Sequence, residues 1–551
     1  MATLYGVLKF TGILLEVVLI FNLLIIVHEL GHFLAAKWRG LYIEGFGIWF
    51  GKPIWKKKIG GVTYSLGCIP AGGFVKLPQL APMEALEGST EIPKDQLKPI
   101  SALDKIIVAF AGPLFSFMLA VVFAFLVHKI GRPMGESESS VYIGALDPGA
   151  PAEKAGLKAG DKILEIDGQA VTRFIGQSDD AIVWRVVRSE GETINVVVER
   201  DGKRLDPIQV TPLIPKTAAW QRSGTRQIGM HPSLTPMVAK VEPGGVGEES
   251  GLRKNDFITH INGQRLFSPS GIWDYAQAHA GADYKLTVER QGEAAPITLP
   301  FKPRRLVLGT PMKDSPAEKV GLKGGDHLVS ADGQSFVSSS ALVGHIRDKG
   351  MQPIELIVER GGKKLDPVKV TPAVNADIDR PMIGLGFDEE EGILFDNYGR
   401  GETRRPPVAE QIKLSVGAIV NTIGAVASRK SNIRVQHMGG PVMMMRIYYM
   451  LFEQPEGWKL ALWFSVLLNV NLALLNMLPL PVLDGGHITL ALIEGARRKP
   501  VNIRVVEWVQ TACALLIIGF MLFVTFFDVQ DLFGGKDRNK FRYSTPAAET
   551  K

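Results

Sequence analysis

Two histidines and a glutamate occupy the part of this chain least able to hold them. An apolar run from about Leu4 to Ala36 contains Val27-His28-Glu29-Leu30-Gly31-His32 near its end. It exceeds the roughly 20 residues that span a bilayer. Ionisable side chains inside such a segment are costly and are functional by default. On a helix, residues four apart share a face, so His28 and His32 point the same way. Neutral imidazoles at that spacing suit zinc, and Glu29 between them is placed to accept a proton from water. The bland alternative is a pair of buried histidines bonded to neighbouring helices. Membrane burial favours the metal site, with Zn2+ as the expected cofactor.

The fold class expected is a polytopic α-helical membrane protein: four transmembrane helices and a membrane-associated β-loop, carrying a β-rich α+β insert. Residues 1–40 form the first helix. Residues 41–77 are rich in glycine and aromatics, with short alternating runs such as Val62-Thr-Tyr-Ser-Leu66, and read as β-hairpins. A sheet edge beside the first helix, somewhere between Gly45 and Gly73, either pairs with an extended peptide by strand addition or only seals the domain. Residues 78–104 form a loop, acidic and proline-containing over Pro78–Lys98. A second span covers 105–131 and opens with Ala111-Gly112-Pro113, small residues that permit close helix packing. His128 at its end reads as interfacial. Residues 388–456 read as a charged linker followed by amphipathic helices, with His437 at best facing substrate.

The third span, 457–487, ends in Asn476-Met-Leu-Pro479-Leu-Pro481-Val-Leu-Asp484-Gly-Gly-His487. Prolines and glycines break the helix where polar residues appear, and such backbone is tolerated at membrane depth only beside a cavity or under protein. Asn476 and Asp484 are therefore expected at a site rather than as simple caps. Asp484 completes a three-ligand set with a fourth position open for water. His487 reads as a supporting or capping residue. A fourth span covers 500–528, and 529–551 is a hydrophilic tail. Cys68 and Cys513 are far apart, which excludes a disulfide scaffold or a cysteine zinc site. The net charge of +6 contains no polybasic block, so nucleic acid is not an expected partner.

Between the second and third spans the chain repeats itself. Gly156-Leu-Lys-Ala-Gly-Asp161 recurs as Gly251-Leu-Arg-Lys-Asn-Asp256 and Gly321-Leu-Lys-Gly-Gly-Asp326, and Val198-Glu-Arg200 as Val288-Glu-Arg290 and Val358-Glu-Arg360. This series resembles the bacterial PDZ domain, in three copies expected at 140–230, 231–302 and 303–387. The resemblance implies binding of peptide carboxyl ends by strand addition. Any one copy is equally readable as a spacer.

Basic residues follow the first span (Lys37, Arg39, Lys56 to Lys58) and precede the fourth (Arg497, Arg498, Lys499, Arg504). By the positive-inside rule both loops are cytoplasmic, so the termini and the repeats lie outside. His28, Glu29 and Asp484 then meet at one depth, near the cytoplasmic side.

With HExxH, the glycine-rich loop, Ala111-Gly112-Pro113, the repeats and NxxPxPxLDGG in this order, the chain resembles the site-2 proteases. More narrowly it resembles the RseP-like sigma-E regulator group, over nearly its whole length. That resemblance implies an intramembrane zinc metalloendopeptidase of a bacterial inner membrane. His28, His32 and Asp484 would be the ligands, Glu29 the general base and Asn476 a substrate or oxyanion residue. Gly72, Gly73, Pro479 and Pro481 would contact substrate. It also implies single-span substrates already trimmed outside, of anti-sigma-factor or signal-peptide-remnant type, with the periplasmic PDZ array as a size filter. Known members have two PDZ domains where this chain has three. A membrane scaffold with a degenerate site fits poorly, because both motifs are complete. A protease for soluble peptides requires a water-facing HExxH helix, and a metal transporter requires ionisable residues along several spans.

Overall fold

The computed structural model describes residues 2–80, 97, 99–215, 217, 220–375, 380–388, 392–454, 456–499 and 501–533. Most of the expected Pro78–Lys98 loop and of the tail lies outside these. The chain divides into two compact units. One comprises residues 1–133, 403–420 and 438–528; the other comprises 134–402, 421–437 and 529–551.

The first unit is built on helices. These are α1 (Ala2–Arg39), α2 (Ala102–Ile130), α3 (Val408–Ala427, whose first part lies here), α4 (Pro441–Glu453), α5 (Gly457–Asn476), α6 (Asp484–Arg497) and α7 (Ile503–Phe533). Among the described residues, four stretches are long and apolar enough to cross a membrane: Gly6–Arg39, Ala102–Ile130, Gly457–Asn476 and Arg504–Leu532. Most of the apolar surface on α1 and α7 is turned outward, as a lipid-facing helix requires. α2 starts at a capping box, in which Ser101 and Asp104 satisfy each other's backbone N–H groups. Its Ala111-Gly112-Pro113 motif lies inside the helix rather than at its start. α1, α2 and α5 pack around Leu24, Ala120, Phe123, Ala124, Val466 and Val470.

Between α1 and α2 lies a four-stranded sheet, β1 (Gly45–Phe50), β2 (Trp55–Ile59), β3 (Val62–Leu66) and β4 (Ile69–Lys76), in the order β2-β3-β1-β4. Only part of the hairpin expectation holds. β2 and β3 form a hairpin over Gly60-Gly61, but β1 pairs parallel to β3 and antiparallel to β4. Alternation and glycine turns specify strands locally; they do not specify which strands become neighbours. The third span also differs from its expected 457–487 extent. α5 ends at Asn476, and a separate helix, α6, begins at Asp484.

The second unit contains three repeats, each with its own apolar core. The recurring Asp and Arg meet in all of them. Arg200, Arg290 and Arg360 each form a two-pronged pair with Asp161, Asp256 and Asp326, at 2.6–2.8 Å. Each Asp is 1% exposed and also accepts the backbone N–H three residues before it. The same guanidinium donates to the carbonyl of Gly156, Gly251 or Gly321. The buried carboxylate thus has the partners that make its burial tolerable. In the third repeat, the Arg360 guanidinium holds the Asp326 carboxyl below its usual range.

The repeats are not simply in tandem. The first is closed by Met230–Pro232 pairing with Ile143–Leu146. The third is closed by Phe387–Asp388 pairing with Val307–Leu308. The second is closed by Ile393–Phe395, which pairs with Val238–Val241 and buries Ile393 in that repeat's core. The third copy is therefore inserted before the last strand of the second. The 231–302 extent omits this strand, and the expected linker from 388 contains it. A three-residue strand after a charged stretch has no periodicity long enough to announce itself.

Candidate active site

The site is assembled on α1, α2 and the α5–α6 turn. α1 places His28 and His32 one helical turn apart, with ring centroids at 4.9 Å. The α5–α6 reversal brings Asp484 to them. It depends on Gly485 and Gly486, because a Cβ on Gly485 would lie 2.2 Å from the Met477 carbonyl oxygen. One on Gly486 would lie 2.1 Å from that of Leu480. The Asp484 carboxylate straddles the two rings, Oδ2 at 3.3 Å from His28 Nε2 and Oδ1 at 3.3 Å from His32 Nε2. The two Nε2 atoms are themselves 3.3 Å apart.

The donors present fit a metal ion in kind and in spacing. Two imidazole nitrogens and a carboxylate form the ligand set of a catalytic zinc site. Arms of about 2.0–2.1 Å at tetrahedral angles place ligand atoms about 3.3–3.4 Å apart, the spacing observed. Both outer nitrogens have partners: His32 Nδ1 lies 2.8 Å from the Val108 carbonyl and His28 Nδ1 lies 3.0 Å from Ser116 Oγ. Each Nε2 is therefore the one left for a metal. His28, His32 and Asp484 form the one such ligand cluster among the described residues.

A cavity of about 270 Å³ opens beside this cluster. Glu29, Asn476, Gly73, Phe50 and His487 line it together with the three donors. The Asn476 amide nitrogen lies 3.3 Å from His28 Nε2. β4 approaches α1 closely at Gly73, where a Cβ would lie 2.9 Å from Glu29 Cγ and 3.1 Å from Ile25 Cγ2. Gly112 on α2 does the same from the other side, its Cβ position being 2.2 Å from His32 Nε2 and 2.9 Å from His28 Nε2. A single glycine thus meets each side of the HExxH turn, Gly73 from the sheet and Gly112 from α2.

Gly72, Pro479 and Pro481, expected as substrate contacts, are not among the residues lining this cavity. Gly72 turns at φ +75° with the Phe50 ring over it. Pro479 and Pro481 shape the reversal, and the Pro481 carbonyl accepts from Gln510 of α7 at 3.3 Å. His128 faces the Pro406 carbonyl at 3.2 Å, and His437 faces the Ser223 carbonyl at 2.8 Å. Cys68 and Cys513 are free thiols. Phe50 and Ser116 were not foreseen at the site. A lone Phe in an aromatic loop and a lone Ser in an apolar helix carry no spacing signal.

The family model "Peptidase family M50" matches residues 16–520. The chain belongs to peptidase family M50, the site-2 proteases. It is 28% identical to a Neisseria meningitidis protein named "Putative zinc metalloprotease", over 94% of this chain and 98% of that one. It is 25% identical to "Protease RseP" of Yersinia pestis and to "Regulator of sigma E protease" of Haemophilus influenzae, over 92% of this chain and 96% of each of those. Like the rest of the M50 family, this chain is a zinc-dependent metalloprotease, and its apolar helices make it a membrane protein.

Proposed function

We propose that this M50 protease cleaves peptide bonds inside the membrane segments of single-span proteins, at a zinc ion held by His28, His32 and Asp484. One observation carries the reading: two imidazole Nε2 atoms 3.3 Å apart, each 3.3 Å from its own oxygen of a carboxylate brought in from a distant piece of chain, with both Nδ1 atoms supported. Zinc at this position supplies a Lewis acid that eases deprotonation of water and polarises a carbonyl. Glu29 receives the proton of the attacking water on its carboxylate and passes it to the departing nitrogen. The Asn476 amide donates to the oxygen that gains charge as the carbonyl is attacked. A membrane helix hides its carbonyls in internal hydrogen bonds and must unwind to be cut. The sheet beside Gly73 offers backbone partners to the unwound stretch.

Substrates are membrane proteins already trimmed outside, of the anti-sigma-factor or remnant-signal-peptide kind. The name of the Haemophilus relative, a regulator of sigma E protease, supports the anti-sigma-factor kind. The three repeats are read as PDZ domains on the periplasmic side of an inner membrane, limiting which substrates reach the site. Their shared Gly-x4-Asp and Arg signature supports the PDZ part of that reading.

Glu29→Gln should keep zinc at wild-type content and lose cleavage of a single-span substrate by about 10²–10⁴-fold. Near-normal turnover by the purified variant would remove Glu29 from the base role. Asp484→Asn should weaken zinc binding by at least about 10–100-fold, the loss expected even for an outer support. Metal analysis after dialysis against a chelator checks this, and unchanged occupancy would reject Asp484 as a ligand.

A further inference from the structure

α2 supports the two imidazoles from behind by different means. His32 rests on a backbone oxygen, that of Val108. His28 rests on a side chain, the hydroxyl of Ser116, which is completely buried. Val108, Gly112 and Ser116 are spaced i, i+4 and i+8, so they form one stripe along α2 facing the His28–His32 stripe of α1. The stripe reads acceptor, gap, acceptor. Gly112 leaves room for both rings, and the oxygens on either side of it meet the two Nδ1 atoms.

A neutral imidazole carries one N–H, and an acceptor at Nδ1 keeps the proton there and the lone pair on Nε2. We propose that Ser116 is a positioning residue of the catalytic centre: its hydroxyl accepts the Nδ1–H of His28 and so holds that ring in the tautomer and rotation that turn Nε2 to the metal. This rests on the zinc-site reading given above.

Two ordinary roles compete. Buried serines on apolar helices also bond back to their own backbone, and they allow close helix packing. Neither role depends on the orientation of His28. Ser465 provides the comparison inside the same unit. It is also completely buried, donates to the Ala461 carbonyl at 2.7 Å and meets the Tyr448 hydroxyl.

The test measures zinc affinity of the full-length protein in detergent by competition with a chromophoric chelator, alongside the thermal midpoint of the zinc-free protein. Ser116→Ala should weaken zinc binding about 10–100-fold without a matching fall in the zinc-free midpoint. Ser116→Cys keeps a side chain of the same shape, slightly larger, with a poor acceptor and should also weaken it, which decides the matter if the alanine variant does not accumulate. Ser116→Thr keeps the hydroxyl and should bind like wild type, as should Ser465→Ala. Alanine and cysteine variants within threefold of wild type would overturn the proposal. So would a threonine variant as weak as alanine, since the loss would then follow packing. His28→Ala separates the two readings: if it keeps zinc, the ligand set is wrong; if it loses zinc while Ser116→Ala does not, only the role of Ser116 falls.

Discussion

Gly112 shows how much of this centre depends on an absent side chain. The rings of His28 and His32 occupy the space where its Cβ would stand. Gly112→Ala is expected to push at least one ring off its Nδ1 partner and to lower zinc affinity by about 10-fold or more, as loss of an outer support does. Equilibrium dialysis checks this, and wild-type affinity in the alanine variant would mean that α2 can retreat without cost. His28, Glu29 and His32 were legible because their spacing encodes a helical face. Asp484 was legible because its motif interrupts an apolar run. Ser116 was not, because a single hydroxyl in an apolar helix has the same appearance whether it packs or positions.

At the level of elements, helix ends decide how the membrane unit holds together. α6 begins at Asp484, so the α5–α6 break both supplies a site carboxylate and starts a helix. α4 begins at Pro441, and its first N–H groups need acceptors. Asp528, buried on α7, provides one: its Oδ2 accepts from Gly440 at 2.9 Å and from Met443 at 3.0 Å. The fourth span is thereby joined to the start of α4. Asp528→Ala leaves these donors without their carboxylate and should cost about 1–3 kcal/mol. A lowered thermal midpoint, with faster hydrogen exchange at the amides of 440–445, would show it. An unchanged exchange pattern would mean that another acceptor takes over. The helices themselves were plain from apolar length. The parallel β1–β3 pairing was not, because strand partnership is set by contacts between distant residues.

For the whole molecule, the informative feature is the third repeat lying inside the second. Ile393 follows the third repeat in sequence but is 2% exposed in the core of the second. Ile393→Ala should destabilise the second repeat by about 2–5 kcal/mol. Hydrogen exchange should quicken at Phe257–Ile261 and not at His327–Ala331. Equal quickening in both would indicate that the two repeats unfold as one. By itself the sequence determined the parts: two histidines on one helical face in an apolar span, a broken helix bearing a carboxylate, and three related modules. Short-range periodicity and spacing carry that information. Only the tertiary structure decided which strands are neighbours, which copy encloses which, and which hydroxyl lies against His28. Those depend on contacts between residues far apart in the chain, and no local pattern records them.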